Sequence, residues 1–203
     1  MRPVTNSEDE ATLAFYRQEA ENYCKRTGTR PTASLEEFLS HLPAGASILE
    51  LGCGSGRDTA EMLRLGYDVF PTDGTPAMAR EAEKRLGRPV AVLRFGEIAG
   101  EARFDGVWAC ACLLHVPIGS LGNVLKRIHG TLRLRGMFFA SFKAGNGEGR
   151  DALGRFYNYP SPLTLKNIFK DAACWESVEI REAPGVGYDH SPLTWLNCLA
   201  RRA

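Results

Sequence analysis

The sequence predicts an α/β fold built on a parallel sheet with helices on both faces. Three observations point there. Short apolar, strand-like runs alternate with segments of helical periodicity between residues 46 and 142, and parallel neighbours need such crossover connections. A turn carrying three glycines, "ILELGCGSGRD" at 48–58, follows the first run, where open α/β sheets bind their ligands. Two β-rich runs, near 175–182 and 193–201, close the chain.

Ser7-Glu8-Asp9-Glu10 has capping-box form, and Leu13, Tyr16, Ala20 and Tyr23 then recur at helical spacing, so an amphipathic helix is expected over 8–25, ending at Thr27-Gly28. A second box, Ser34-Leu35-Glu36-Glu37, opens a short helix carrying Leu35, Phe38, Leu39 and Leu42, stopped by Pro43-Ala44-Gly45. Strands are expected at 46–51, 67–72, 89–95, 104–110 and 136–142, with helices near 57–65, 75–86 and 118–132. The piece "GEIAGEAR" is too short for a good helix. Residues 145–162 read as loop and 163–172 as helix, and "APGVGYDHS" joins the last two runs as a hairpin connection. No repeat or linker interrupts the 203 residues, which read as one domain: an N-terminal helical part at about 8–42, a core carrying the glycine-rich turn at 46–143, and loops with terminal strands at 144–203.

Composition narrows the function classes. With 44% hydrophobic and 24% charged residues and a net charge of +1, the chain has the profile of a soluble globular protein without broad attraction for polyanions, so neither nucleic acid nor an anionic membrane is expected as partner. No apolar run is long enough to span a bilayer, and "MRPVTNSEDEATL" lacks a signal-peptide core. The expected location is cytoplasmic. Cysteines 24, 53, 110, 112, 174 and 198 form no Cys-x-x-Cys pair, so reduced thiols are expected, with no zinc site and no disulfide framework.

The glycine-rich turn carries the chemistry. Glycine in a regular element sacrifices about 0.5–1 kcal/mol relative to alanine, so three in five residues imply a tight turn or a ligand pressed against the main chain. Asp73, ending the second strand in "YDVFPTDGTPAM", decides for the ligand, because a carboxylate there accepts both hydroxyls of a ribose. A nicotinamide dinucleotide uses the same devices, but the spacing is Gly52-x-Gly54-x-Gly56 rather than G-x-G-x-x-G, and Glu50 would repel a pyrophosphate. An ATP-type P-loop is excluded because no Gly-Lys-Ser/Thr follows the glycines.

These residues resemble the class I S-adenosylmethionine-dependent methyltransferases over about residues 8–202, most closely over 46–117. "ELGCGSG" is similar to their first motif, Asp73 to their second acidic position, "RFGEI" to the adenine segment and "FDGVWACACLLHVP" to the fourth-strand motif. The compact form also resembles the tellurite-resistance methyltransferase group. The resemblance implies a Rossmann-like, doubly wound, seven-stranded sheet, mostly parallel with an antiparallel last strand. It implies S-adenosyl-L-methionine as cofactor and S-adenosyl-L-homocysteine as product. By position, Glu50 would serve the methionine ammonium, Gly52, Cys53 and Gly54 would flank the methionine part, and Arg57 would meet its carboxylate. Asp73 would hold the ribose, Gly74 and Met78 would lie against the nucleoside, and Glu97 and Ile98 would meet adenine. Cys110 and Ala111 would line the methionine side, and Tyr16 and Tyr23 would cover the cofactor from the first helix.

Methyl transfer from a sulfonium is an in-line displacement in which positioning supplies about 7–11 kcal/mol and no metal is needed. His115 in "LLHVP" is the candidate base, needed only for an acceptor that arrives protonated. Lys143, Tyr157, Tyr159 and His190 fall where acceptors bind. A small molecule is the expected acceptor, since neither an Asn/Asp-Pro-Pro-Tyr motif nor a Pro-Cys nucleophile is present. A non-catalytic module that senses the same nucleosides, and an NAD(P)-dependent reductase, are the alternatives.

Overall fold

The computed structural model describes residues 7–203; the first residues of the polar N-terminal stretch read as leaderless lie outside the described part. In chain order the elements are α1 (Glu10–Thr27), α2 (Leu35–Ser40), β1 (Ser47–Glu50), α3 (Arg57–Arg64), β2 (Asp68–Asp73), α4 (Pro76–Leu86), β3 (Ala91–Val92), β4 (Phe104–Ala109), α5 (Ile118–Thr131), β5 (Leu132–Lys143), β6 (Gly147–Arg150), β7 (Phe156–Tyr159), α6 (Pro162–Ala172), β8 (Trp175–Val186) and β9 (Pro192–Arg202). Seven strands form one sheet in the order β3-β2-β1-β4-β5-β9-β8. β1 to β5 pair in parallel, and β9 runs antiparallel to both neighbours. This is the doubly wound sheet the alternation predicts. The order reverses between β1 and β4, so their carboxyl ends frame the switch-point crevice.

Alternating side chains of the central strands feed two cores. Val107 and Phe138 join Leu121, Leu125, Ile128, Leu165 and Phe169 of α5 and α6 on one face. Trp108 and Phe139 meet Phe38 of α2 and Met62 of α3 on the other. Trp108 stacks on Phe139 with ring centroids 4.2 Å apart and is 1% exposed. Each such buried side chain contributes about 1.5–3 kcal/mol, so β1 and β4 are held rigidly where the crevice opens.

Several local expectations change. α1 is capped by Asp9, whose carboxylate accepts from Thr12 N at 2.8 Å, rather than by Ser7: only Asp9 sits one residue before the first helical turn in an extended conformation. Ser34 precedes α2 in helical conformation and makes no side-chain cap bond, so neither capping box forms. The strand expected at 89–95 shrinks to Ala91–Val92, since it is an edge strand paired to β2 alone. The loop expected over 145–162 contains the hairpin β6–β7, with Gly147 opposite Tyr159 and Arg150 opposite Phe156. Its first strand, Gly-Glu-Gly-Arg, has no apolar alternation to announce it.

Candidate functional site

A cavity of about 950 Å³, counted with its solvent-open mouth, lies at the carboxyl ends of β1, β2 and β4 and is roofed by α1. Its floor is the glycine turn. Gly52, Gly54 and Gly56 all adopt left-handed backbone, at φ 63°, 57° and 73°. Gly52 is glycine for packing: a Cβ there would stand 2.6 Å from Cβ of Cys112. Gly54 is open by contrast, its nearest side chains being Tyr23 and Met78 at 3.8 and 3.9 Å. The turn therefore presents bare main chain to the cavity at Gly54, while Gly52 lets the segment after β4 close over it.

Asp73 stands at the end of β2, 8% exposed. Its Oδ2 accepts from Gly54 N at 3.2 Å and its Oδ1 from Thr75 N at 3.0 Å, which joins the glycine turn to the start of α4. Burial raises its pKa to about 6 against those hydrogen bonds. Each carboxylate oxygen keeps further acceptor capacity on the cavity side. Glu50 ends β1, 2% exposed, and accepts a short hydrogen bond from the Thr59 hydroxyl. Burial, followed by the Asp58 carboxylate, pushes its pKa up to about 8.

Asp58 is a residue the sequence reading missed. It accepts from Thr32 N at 2.8 Å, Thr32 Oγ1 at 2.7 Å and Trp108 Nε1 at 3.2 Å, tying the segment before α2 to the floor. The Arg57 guanidinium lines the same wall, donating to Thr32 Oγ1 at 3.0 Å and lying 3.6 Å from Asp58. Cys110 and Ala111 line the segment after β4. Ala111 holds left-handed backbone at φ 51° and donates its N–H to Ser141 Oγ at 2.8 Å. Burial raises the Cys110 thiol to about 11, so it stands as a neutral wall.

Tyr16, Tyr23, Cys53, Gly74 and Met78 also line the cavity. Two expected residues do not. Glu97 is exposed and turns back to accept from Arg94 N at 2.9 Å, closing the turn Phe95–Glu97. Ile98 is 1% exposed inside the α5 core. Phe95 takes the lining position instead, the one apolar side chain of that short turn that is neither swallowed by the core nor used as a cap.

The residues expected on the acceptor side form a hydrogen-bonded chain with the roof. His115 Nδ1 lies 2.6 Å from the Phe156 carbonyl and Nε2 lies 3.0 Å from the Tyr16 hydroxyl. A carbonyl only accepts, so Nδ1 bears the proton and Nε2 accepts from Tyr16. Burial holds the His115 pKa down near 4, so the ring is neutral at ordinary pH. Arg155 Nη1 donates to the Tyr16 oxygen at 3.3 Å. Of the other acceptor-side candidates, Tyr157 packs against His115 at 4.6 Å between ring centroids and Lys143 Nζ lies 3.9 Å above the Tyr157 ring. Tyr159 stacks behind Tyr157, and His190 is exposed in the β8–β9 loop.

The roof is fastened around the N-terminal end of α1. Arg150 of β6 grips Asp9 at 2.7 and 3.0 Å, Phe156 N donates to Thr12 Oγ1 at 2.8 Å, and Gly96 N donates to Glu8 at 2.9 Å. Among the described residues no helix is long and apolar enough to cross a membrane, and no cluster of three or more His, Cys, Asp or Glu could hold a metal ion.

Comparison with known proteins bears on this cavity directly. A methyltransferase-domain family model matches residues 48–136, from the glycine turn through β4 and α5. The 1,6-didemethyltoxoflavin N1-methyltransferase of Burkholderia thailandensis, solved with 1,6-didemethyltoxoflavin and S-adenosylhomocysteine bound, superposes with a TM-score of 0.74 at 27% identity, over 100% of this chain and 93% of its own. A magnesium-protoporphyrin O-methyltransferase of Rhodobacter capsulatus is 29% identical over 153 residues, 59% of this chain and 68% of the relative. TehB of Haemophilus influenzae shares the fold, with a TM-score of 0.69 at 15% identity over 93% of this chain and 67% of its own. Residues 48–136 thus match a methyltransferase domain, and the chain has the fold of the class I S-adenosylmethionine-dependent methyltransferases, with the motif residues gathered around one crevice.

Proposed function

We propose that this methyltransferase acts on a small-molecule acceptor by in-line transfer, within a single catalytic domain whose α1 is the lid. One observation carries the choice of acceptor: the roof of the cavity is pinned by Asp9–Arg150 and by Thr12 to the β6–β7 hairpin, which favours a roofed pocket with one mouth over a long groove that could seat a polymer. The net charge of +1 supports the same reading against nucleic acid.

The donor set suits the cofactor. Asp73 would accept the ribose hydroxyls, the Gly54 main chain would lie against the methionine part with Gly52 and Cys53 beside it, and Glu50 would face the ammonium. Arg57 would meet the carboxylate, Gly74, Met78 and Phe95 would bound the nucleoside, and Cys110 and Ala111 would border the reacting end. Bound there, S-adenosyl-L-methionine supplies an electrophilic methyl group. The chain's own contribution is to fix the approach line, exclude water beneath Tyr16 and Tyr23, and accept a proton on the acceptor side through His115. Six free cysteines favour a reducing compartment, the cytoplasm.

The test is calorimetric titration with S-adenosyl-L-methionine and S-adenosyl-L-homocysteine, then a methyl-transfer assay over a metabolite panel. Binding with product on at least one small acceptor is the expected result. Binding with no product on any acceptor would favour a nucleoside sensor, and affinity for NAD(P)H alone would favour a reductase.

A further inference from the structure

Both ring nitrogens of His115 are already engaged, Nδ1 on the Phe156 carbonyl and Nε2 on the Tyr16 hydroxyl. Tyr16 and His115 both line the cavity, but Nδ1 holds its proton on a carbonyl and the Nε2 lone pair is taken by the Tyr16 hydroxyl, so while that bond stands a proton from the acceptor enters through the Tyr16 oxygen. The Tyr16 hydroxyl has one proton and two lone pairs. The proton points to His115, and one lone pair receives the Arg155 guanidinium at 3.3 Å. One acceptor position remains.

Arg155 is itself a built feature. It is 3% exposed, and Asp151 takes its Nε at 2.9 Å and its Nη2 at 2.7 Å. Its guanidinium lies 4.9 Å from the ring centre of Phe15, 5.4 Å from Tyr157 and 4.7 Å from Tyr188. Burying an arginine in a box drawn from α1, β7 and the β8–β9 loop is expensive unless its charge is used or fully paired. Asp151 takes the Nε and Nη2 side of the fork. The remaining directed donor, Nη1, is aimed at the Tyr16 oxygen.

Resting on the methyl-transfer reading above, we propose that Tyr16 is the catalytic residue that takes the acceptor's proton and passes its own to His115, with Arg155 as the positioning residue that holds the phenol oxygen. The substrate class follows: an acceptor whose attacking heteroatom arrives as a neutral O–H or N–H. The balance closes. The S–CH3 bond breaks with its electrons left on sulfur while the acceptor's lone pair forms the new bond to carbon. The acceptor's proton moves to the Tyr16 oxygen as the Tyr16 proton moves to His115 Nε2. The positive charge lost at sulfur reappears on the imidazolium, whose Nδ1–H stays on the Phe156 carbonyl. The cavity carries the same net charge before and after.

The groups facing this relay are Tyr23 on the same helix, Arg155 and Tyr157 from β7 and its approach, and Lys143 from β5, with Asp151 behind Arg155. Burial raises the Tyr16 phenol well above its usual range and lowers His115. At rest the pair is thus phenol and neutral imidazole, the states the relay starts from.

The test uses the full chain. With 15N-labelled histidine, assigned by loss of the signal in His115→Gln, the free protein should show His115 as the Nδ1–H tautomer with a hydrogen-bonded Nε2. Tyr16→Phe should move the Nε2 resonance toward that of an unbonded imine without changing the tautomer. An Nε2–H tautomer in the unaltered protein overturns the relay whatever the acceptor.

Methyl transfer is then compared on phenol and on thiophenol at mildly alkaline pH, where the thiol ionises in water and phenol does not. Tyr16→Phe should lower the phenol rate at least about tenfold more than the thiophenol rate. Arg155→Lys should fall between Arg155→Met and the unaltered protein in that same ratio. Equal losses on both probes, or no loss on either, overturn the relay while leaving methyl transfer standing. Should neither probe be methylated, the His115 tautomer decides. Failure to bind S-adenosyl-L-homocysteine sinks the underlying reading instead.

Discussion

Binding of the cofactor's ammonium beside Glu50 should expel a proton. In the free protein Glu50 is 2% exposed with a pKa of about 8, raised first by burial and then by Asp58. At pH 7 such a group is about nine-tenths protonated. An ammonium placed against it favours the carboxylate, so binding S-adenosyl-L-homocysteine releases close to one proton at pH 7, and less as pH rises past 8. Affinity should therefore improve roughly eightfold between pH 6.5 and 7.5 and then level off. Asp73, with a pKa of about 6, adds about a tenth of a proton at pH 7. The assay is titration calorimetry in Tris, whose protonation is strongly exothermic, against phosphate, whose protonation is nearly athermal. The observed enthalpy should be much more negative in Tris, and Glu50→Gln should abolish most of the difference. Equal enthalpies in the two buffers would refute both the burial of a protonated Glu50 and its place beside the ammonium. The same shift fixes a sign for stability. A carboxyl whose folded pKa lies above its unfolded value of 4.5 favours the fold when protonated, and that contribution is lost as pH rises from about 4.5 through 8. Glu50→Gln should thus be as stable as the unaltered protein within about 1 kcal/mol at pH 4, and more stable by up to about 5 kcal/mol at pH 9 when no ligand is present.

Asp73→Ala removes the ribose acceptor and leaves Gly54 N and Thr75 N without their partner; bonds to a charged group are each worth about 1.5–3 kcal/mol, so S-adenosyl-L-homocysteine should bind at least about 100-fold more weakly by calorimetry. His115→Ala should leave that affinity within about threefold, since His115 sits on the acceptor side, and lower turnover by about 100-fold or more on a protonated acceptor; unchanged turnover removes it from catalysis. Gly52→Ala should cost about 2–4 kcal/mol, from left-handed backbone and a Cβ 2.6 Å from Cys112 Cβ, read as a lowered Tm. Arg150→Ala cuts the Asp9 fastening and should raise the dissociation rate of bound S-adenosyl-L-homocysteine severalfold in stopped flow with little loss of global stability.

What the sequence made legible were features whose physics is local. Glu50, the three glycines and Asp73 lie at strand ends fixed by apolar runs, and a left-handed turn leaves a glycine signature whatever surrounds it. Helix α1 was legible too, because Leu13, Tyr16, Ala20 and Tyr23 recur at helical spacing. Its fastening was not. Asp9 and Arg150 meet across 141 positions, and Tyr16 and His115 across 99, so no window of sequence holds both partners. Arg155 carries no pattern of its own, in a stretch that reads as loop; its importance appears only when Phe15, Tyr157 and Tyr188 surround it. Glu97 and Ile98 failed for the opposite reason. Position in a motif does not fix orientation, because a three-residue turn points successive side chains in different directions: Phe95 into the cavity, Glu97 back onto Arg94, and Ile98, next along the chain, into the core. Asp58 had a signal that was overlooked, a carboxylate in the first turn of a helix whose glycine cap supplies no side-chain acceptor.

The electrostatics of the cavity explain why its charges persist against the stability they forfeit. Glu50, Asp58 and Asp73 are each less than a tenth exposed, and among the lining residues Arg57 is the guanidinium that faces them. With Asp58 and Asp73 against the single guanidinium of Arg57, a cavity of this sign would disfavour a pyrophosphate by charge. A sulfonium and an ammonium would enter the same field favourably, and on the proposed placement the one anionic group of the cofactor would meet Arg57. The free protein keeps these carboxyls buried, one of them protonated at neutral pH, and the ligand's cationic groups would give them charge partners on arrival. Ligand recognition and the instability of the empty site are thus the same interaction seen from two states. Replacing Glu50 by glutamine should for that reason raise the Tm of the free protein at pH 8 while shrinking the further rise on adding S-adenosyl-L-homocysteine, and a mutant that gained in both would break the link.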